Sequence, residues 1–253
     1  MTTSHPQGLE SILTTLETAR TTQPPQKSLA IFDLDSTLYD LTLRVTAIMD
    51  RFAGDPANQA RFPIECQKLR NVEIRRTDWG LVGPLKRLGI SRDSHPSFVH
   101  EVQQAWARGF FSNDFLDRDF PLPGAVAFVE DCLKRGADVL YLTGRDVARM
   151  GAGTEASIRK HGFPLDHAQA KLHLKPEAKL DDAGFKADVI EKLAPSYDHI
   201  WLFENEPVNI NLVLKRVPSV KIVFIDTCHS GLEDVKDAIA TIQHFNVAIS
   251  DLE

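Results

Sequence analysis

Two aspartates, Asp33 and Asp35, stand at the end of an apolar run that begins at Leu29. The run predicts a buried strand, and alternate residues of an extended segment share one side, here at the strand's carboxyl end. Open α/β sheets bind ligands at that end. Two carboxylates held together repel, raise one pKa or recruit a cation, which suits a metal-dependent site where one carboxylate attacks and the other moves a proton. The alternative is a polar strand-to-loop transition capped by Asp35, Ser36 or Thr37.

A second polar segment, Thr143-Gly144-Arg145, follows the apolar run of residues 137–142. The Thr143 hydroxyl and the backbone N–H groups after it are suited to hold an anion, as helix N-termini are. We therefore expect Thr143, Gly144 and Arg145 to contact a substrate. The alternative is an ordinary strand-to-helix turn in which Thr143 or Asp146 is the N-cap.

A third polar segment, Glu204-Asn205-Glu206, follows the apolar residues 199–203. Carboxylate and amide oxygens are ligands that suit a hard cation such as Mg²⁺. The alternative is that these residues serve only helix entry, because acidic side chains favour a helix N-terminus.

Short apolar runs alternate with amphipathic stretches from residue 28 onward. Strands separated by single helices imply right-handed crossovers and parallel pairing. We therefore predict an open, mainly parallel, Rossmann-like α/β sheet with helices on both faces. The predicted strands cover residues 29–34, 137–142, 171–174, 199–203 and 220–225, and predicted helices begin near residues 124, 146, 185 and 207.

Residues 41–119 do not follow this alternation. They carry several helical stripes and few β-branched runs, which predicts a helical cap inserted after the first strand. The core domain then comprises residues 28–40 and 120–253. Residues 1–27 are Ser/Thr-rich and predict an N-terminal leader or a helical arm, with an apolar stripe at helical spacing formed by Leu9, Ile12, Leu13 and Leu16.

Composition excludes several classes of protein. The 253 residues include 29 basic and 35 acidic side chains, for a formal charge of −6. An acidic chain is not expected to bind nucleic acid or a membrane surface, which requires clustered positive charge. No apolar run reaches the ~18 residues of a membrane helix, and the leader lacks a signal peptide's apolar core. Three cysteines without a CxxC pair favour the reducing cytoplasm over a zinc site or a disulfide framework.

The order of these segments resembles the haloacid dehalogenase (HAD) superfamily, whose members carry four short motifs in this order on a Rossmann-like sheet. The resemblance extends from Leu29 to about Ile225. It implies that Asp33 is the nucleophile that forms an aspartyl-phosphate and that Asp35 is the general acid/base. It also implies that Thr143 binds the transferring phosphoryl group.

The same resemblance implies a lysine that neutralises the phosphate and steadies the nucleophile. Lys186 fits best, with Lys175 and Lys171 as alternatives. Mg²⁺ would be held by Glu204, by the Asp33 carboxylate and by the main-chain carbonyl of Asp35, with Asn205 bonded to a metal-bound water. The family usually has aspartates where this chain has Glu204-Asn205, and Glu206 is an alternative ligand.

The presence of Asp35 favours phosphoryl transfer, because the superfamily's dehalogenases lack this second aspartate. The resemblance therefore implies a Mg²⁺-dependent phosphatase of a small phosphomonoester, since a cap excludes bulk water and large partners. The alternatives are a phosphomutase or a non-catalytic phosphate-sensing relative. The sequence leaves the substrate and the oligomeric state open. The candidates for substrate contact near the cap are Tyr39, Arg44, Arg75, Arg76, Trp106 and Arg108.

Overall fold

A six-stranded parallel sheet forms the centre of the computed structural model, which describes residues 7–247. Its strands lie in the order β5–β4–β1–β6–β7–β8, and every neighbouring pair is parallel. A separate antiparallel pair joins β2 to β3. The strands are β1 (Ser28–Phe32), β2 (Tyr39–Asp40), β3 (Phe120–Pro121), β4 (Asp138–Asp146), β5 (Ala170–Lys175), β6 (His199–Glu204), β7 (Lys221–Ile225) and β8 (Ala240–Ile242).

Helices surround this sheet and fill the insertion between β2 and β3. Five are packed around the sheet: α1 (Gln7–Thr21), α7 (Ala125–Lys134), α8 (Val147–Lys160), α9 (Asp182–Leu193) and α10 (Pro207–Arg216). Five belong to the insertion: α2 (Thr42–Gly54), α3 (Pro56–Arg61), α4 (Pro63–Leu69), α5 (Val82–Arg87) and α6 (Pro96–Phe110). Short 3₁₀ turns cover Leu116–Arg118 and Ala194–Ser196.

Both faces of the sheet are covered, which explains why the central strands are apolar without alternation. Phe32 of β1 packs in one cluster with residues of α1, α7 and α8. Its neighbour Ile31 packs in the other cluster, with residues of α9 and α10. The predicted fold, a mainly parallel α/β sheet with helices on both faces, is therefore confirmed.

The N-terminal segment is a helix that packs against the sheet. The predicted apolar stripe of α1 is buried beside β1 and α7. Burial of each such side chain contributes about 1.5–3 kcal/mol, which anchors the helix. A flexible leader is therefore the wrong interpretation for residues 7–21. Residues 1–6 lie outside the described residues.

The insertion has an apolar cluster of its own, in which Ile48, Phe52, Phe98 and Val102 pack between α2 and α6. Phe98 lies edge-on against Phe52, with ring centroids 5.8 Å apart. The predicted helical character of this segment matches its structure, while its boundaries as a separate cap domain stay a prediction. Within residues 7–247, no helix combines the length and the apolar character needed to span a membrane.

Candidate active site

The carboxyl end of β1 presents Asp33 to a cavity between the sheet and the insertion. The backbone N–H of Asp33 donates to the Phe203 carbonyl at 3.0 Å, which continues the pairing of β1 with β6. Oδ1 accepts a hydrogen bond from Lys186 Nζ at 2.6 Å. No hydrogen bond reaches Oδ2 from any residue that the structure describes. This second oxygen is therefore available to a ligand.

Lys186 bridges two buried carboxylates. Its Nζ also donates to Oε2 of Glu204 at 2.6 Å, while Oε1 of Glu204 accepts the backbone N–H groups of Asn205 and Glu206, each at 3.0 Å. Burial would lower the pKa of Lys186, but the Asp33 and Glu204 carboxylates raise it above its ordinary value. One ammonium thus neutralises only one of the two negative charges.

This charge imbalance acts on Asp33. Burial raises its pKa, the Lys186 ammonium opposes the rise, and the nearby Glu204 and Asp35 carboxylates add to it. The net result is a pKa of about 7, against 3.8 for an ordinary aspartate. Without a metal, Asp33 therefore holds its proton more tightly than an ordinary aspartate does.

Asp35 has the opposite environment, because two arginines hold its carboxylate. Arg145 donates from Nη2 to Oδ1 at 2.7 Å and from Nε to Oδ2 at 2.9 Å, and Arg44 of α2 also bonds to Oδ1. Burial would raise the pKa of Asp35, but Arg145 and Arg44 hold it well below its usual range. The side chain is 27% exposed, so the ionised carboxylate still reaches the cavity.

Asp119 completes this buried group and was not identified from the sequence. Its Oδ2 accepts a hydrogen bond from Arg145 Nη2 at 2.6 Å. Its Oδ1 lies 3.0 Å from Arg44 Nε, where the two groups form an ion pair but are not aligned for a hydrogen bond. Two arginines thus face two aspartates with no net charge. Because Arg44 lies near the start of the insertion and Asp119 near its end, these ion pairs fasten both ends of the insertion to the segment that follows β1.

The second strand end differs in part from the prediction. Gly144 and Arg145 line the cavity, but Thr143 is fully buried and does not. Its hydroxyl accepts the backbone N–H of Arg145 at 3.2 Å, which turns it towards the chain. Asp146 is the N-cap of α8, where it accepts the Arg149 N–H at 3.0 Å. The role of Thr143 in phosphoryl binding stays a prediction that requires a movement of this turn.

The third strand end separates the two glutamates. Glu204 lies beside Asp33 through Lys186, whereas Glu206 is the N-cap of α10 and accepts from Ser230 N at 2.9 Å and Ser230 Oγ at 2.7 Å. The structure therefore places Glu204, and not Glu206, next to the nucleophile candidate.

Asn205 is engaged on both atoms of its amide. Its Oδ1 accepts from the Thr37 hydroxyl at 3.1 Å and its Nδ2 donates to the Cys228 carbonyl. The amide of Asn205 therefore links two loops, and its predicted hydrogen bond to a metal-bound water stays a prediction.

The three candidate lysines are also distinguished. Lys186 alone contacts Asp33. Lys175 instead bonds to Asp182 and, at 2.9 Å, to the Leu180 carbonyl, while Lys171 is exposed on β5.

The donor set fits a magnesium ion that keeps much of its own water. No group of three or more His, Cys, Asp or Glu side chains within residues 7–247 forms a metal cage. Mg²⁺ is commonly held by only one or two carboxylates, with waters and substrate phosphate completing its octahedron. Asp33 Oδ2 supplies one carboxylate oxygen that accepts no hydrogen bond from the described residues. Both oxygens of the neighbouring Glu204 accept hydrogen bonds, from Lys186 and from the Asn205 and Glu206 backbone, so Glu204 would exchange one of these bonds to hold the ion.

The cavity has a volume of about 460 Å³, which lies within the usual range for small-molecule sites. Of the predicted substrate contacts, Tyr39, Arg75, Arg76 and Trp106 line it, whereas Arg44 and Arg108 do not. Arg44 is fully buried by its ion pairs, and Arg108 lies on the exposed surface of α6. Substrate contact by these two arginines therefore has no support from the cavity lining and stays a prediction.

Comparison with solved structures identifies the fold. A Clostridium difficile protein provisionally named a phosphatase matches 87% of this chain and 95% of its own, with a TM-score of 0.56 and 13% identity. A Burkholderia xenovorans protein provisionally named a haloacid dehalogenase-like hydrolase matches 87% and 94%, with 18% identity, at a TM-score of 0.47 that supports no further argument. Searches of family models and of curated proteins found no match. The Clostridium difficile structure thus shows that this chain shares its fold, while the resemblance to the HAD superfamily stays a prediction.

Proposed function

We propose that this protein is a HAD superfamily hydrolase that cleaves a small phosphomonoester with Mg²⁺ and forms an aspartyl-phosphate on Asp33. The observation that carries the proposal is the asymmetric bonding of Asp33. One carboxylate oxygen is fixed by Lys186, the other accepts no hydrogen bond from the described part of the chain, and Asp33 lines the cavity. A fixed carboxylate with one oxygen left without a hydrogen bond is suited to in-line attack.

In the first step, Asp33 Oδ2 attacks phosphorus. A bond forms between that oxygen and phosphorus as the bond from phosphorus to the substrate alcohol breaks, and the alcohol oxygen takes up a proton that Asp35 has first bound from the solvent. Lys186 keeps Oδ1 in place and offsets negative charge beside the phosphoryl group. Mg²⁺, held by Asp33 and Glu204 with waters, would offset charge on the phosphoryl oxygens.

In the second step, water attacks phosphorus, the bond to Asp33 breaks and inorganic phosphate leaves. The ionised Asp35 carboxylate is suited to accept the proton of this water, because Arg44 and Arg145 hold it deprotonated. Donating a proton to the leaving alcohol in the first step requires these ion pairs to loosen.

A phosphate-release assay tests this function. Small phosphomonoesters would be incubated with the protein in Mg²⁺ or in EDTA, beside Asp33→Asn as the inactive variant. We expect Mg²⁺-dependent release that the variant loses. Release that requires an activating bisphosphate would favour the phosphomutase, and no release by the folded protein would favour the phosphate-sensing alternative.

A further inference from the structure

The cavity wall on the insertion side is aromatic and apolar. Trp79, Trp106, Phe110 and Phe111 line it together with aliphatic side chains such as Val45 and Ile74. The rings of Trp106 and Phe110 lie 4.9 Å apart between centroids, and Phe111 stands edge-on to Phe110 at 5.1 Å. Such a wall offers flat apolar surface and few hydrogen-bonding groups to a ligand.

This wall adjoins the leaving-group side of the proposed reaction. The Arg44 guanidinium lies over the Phe110 ring, 4.3 Å from its centroid, and the same guanidinium bonds to Asp35. A general acid/base faces the oxygen of the leaving alcohol. The alcohol part of the substrate, and not its phosphoryl group, would therefore rest on the aromatic wall.

Charge in the cavity opposes a second anionic group on the substrate. Eight acidic side chains line the cavity, against four basic ones. The two basic groups beside the site, Arg145 and Lys186, are neutralised by the carboxylates described above. The other two, Arg75 and Arg76, are more than a third exposed and already face carboxylates. A bisphosphate would meet net negative charge and, among the described residues that line the cavity, no basic side chain that is free of a carboxylate partner.

Resting on the function proposed above, we propose that the substrate is the phosphate monoester of an uncharged, planar aromatic alcohol. The phosphoryl group would lie at Asp33, and the ring would stack along Trp106 and Phe110. Because binding removes such a ring from water, kcat/KM for the aromatic ester should exceed that for the ester of a polar alcohol of similar acidity by about 10–100-fold.

The experiment compares esters whose leaving alcohols have similar acidity, so that intrinsic reactivity is matched. Benzyl phosphate and naphthylmethyl phosphate provide the rings, cyclohexylmethyl phosphate is apolar without being planar, glycerol phosphate is polar, and an alkanediol bisphosphate carries the second charge. We expect kcat/KM for the two aromatic esters to exceed that for glycerol phosphate by about 10–100-fold. We expect the bisphosphate to be the poorest substrate.

Variants of the wall locate the preference. Trp106→Ala should lower the benzyl-to-glycerol ratio of kcat/KM by about tenfold, and Trp106→Leu, which retains apolar volume if the alanine variant fails to fold, should lower it less. Phe120→Ala is the matched control, because Phe120 is 58% exposed and lies outside the cavity. Its ratio should equal that of the wild type. A ratio insensitive to Trp106 would overturn the proposal.

Binding to the inactive Asp33→Asn variant separates this inference from the proposed function. Quenching of tryptophan fluorescence by naphthylmethyl phosphate, with none by glycerol phosphate, would support the aromatic site even if no ester is hydrolysed. Efficient hydrolysis of glycerol phosphate or of the bisphosphate, with no preference for rings, would overturn the aromatic site while leaving the phosphatase intact.

Discussion

Replacing Asp33 with asparagine is expected to make the metal-free protein more stable while abolishing its activity. Asparagine keeps the shape of the side chain and an oxygen for Lys186, but it removes one of two buried negative charges that share a single ammonium. The remaining Lys186–Glu204 pair is then neutral. The variant resembles the wild type with Asp33 permanently protonated.

The magnitude follows from the pKa of Asp33, about 7 in the folded protein against 3.8 for an ordinary aspartate. Because the folded state holds this proton more tightly than the unfolded state, wild-type stability falls as pH rises between those two values. A difference of about three pH units, at ~1.4 kcal/mol each, corresponds to about 4 kcal/mol. The free energy of unfolding of the variant should therefore exceed that of the wild type by about 1–2 kcal/mol at pH 5 and by about 4 kcal/mol at pH 8.

Urea unfolding in EDTA, followed by circular dichroism at pH 5, 6, 7 and 8, measures this difference. Asp93→Asn, at an exposed position outside the cavity, is the control and should change stability by less than about 0.5 kcal/mol at every pH. An Asp33→Asn protein that is no more stable than the wild type, or whose gain does not grow with pH, would refute the reasoning.

Three further predictions concern the same buried charges and the metal. Lys186→Met should destabilise the protein by about 3–5 kcal/mol in urea unfolding, because it leaves two buried carboxylates without a cation, whereas the exposed Lys192→Met should have little effect. Asp119→Asn should lower the free energy of unfolding by about 3–5 kcal/mol, because it leaves excess buried positive charge. Asp117→Asn, at a side chain that is 60% exposed, should have a negligible effect, and equal losses for both variants would contradict this prediction. Mg²⁺ at about 100 times its Kd should stabilise the wild type by about 3 kcal/mol, and EDTA should reverse this gain. An equal gain in the Asp33→Asn variant would exclude Asp33 as a ligand of the ion.

The sheet was predictable because the sequence of each long strand is recognisable without knowledge of its neighbours. β1, β6 and β7 are apolar runs that end in polar residues, and a parallel sheet covered on both faces requires that pattern. The short strands β2, β3 and β8 were missed, since two or three residues carry no periodicity. Their pairing depends on where the longer elements bring the chain.

The site was predictable where one segment carries the chemistry. Asp33 and Glu204 each follow an apolar run. The resemblance to a known family implied a lysine that steadies the nucleophile, and Lys186 fitted that role best. The ion pairs that Arg44 and Asp119 form in the buried group around Asp35 could not be found this way. Arg44 and Asp119 lie far apart in sequence, and each looks like an ordinary surface charge until the fold buries both beside one carboxylate.

The central claim is that Asp33 carries the phosphoryl group between substrate and water. Asp35→Asn removes the base of the second step, so after mixing with Mg²⁺ and benzyl phosphate the variant should accumulate covalent phosphate. Mass spectrometry of rapidly acid-quenched peptides is expected to locate that phosphate on Asp33, and Asp33→Asn should carry none. Phosphate on another residue, or turnover by the Asp33→Asn protein, would contradict the account.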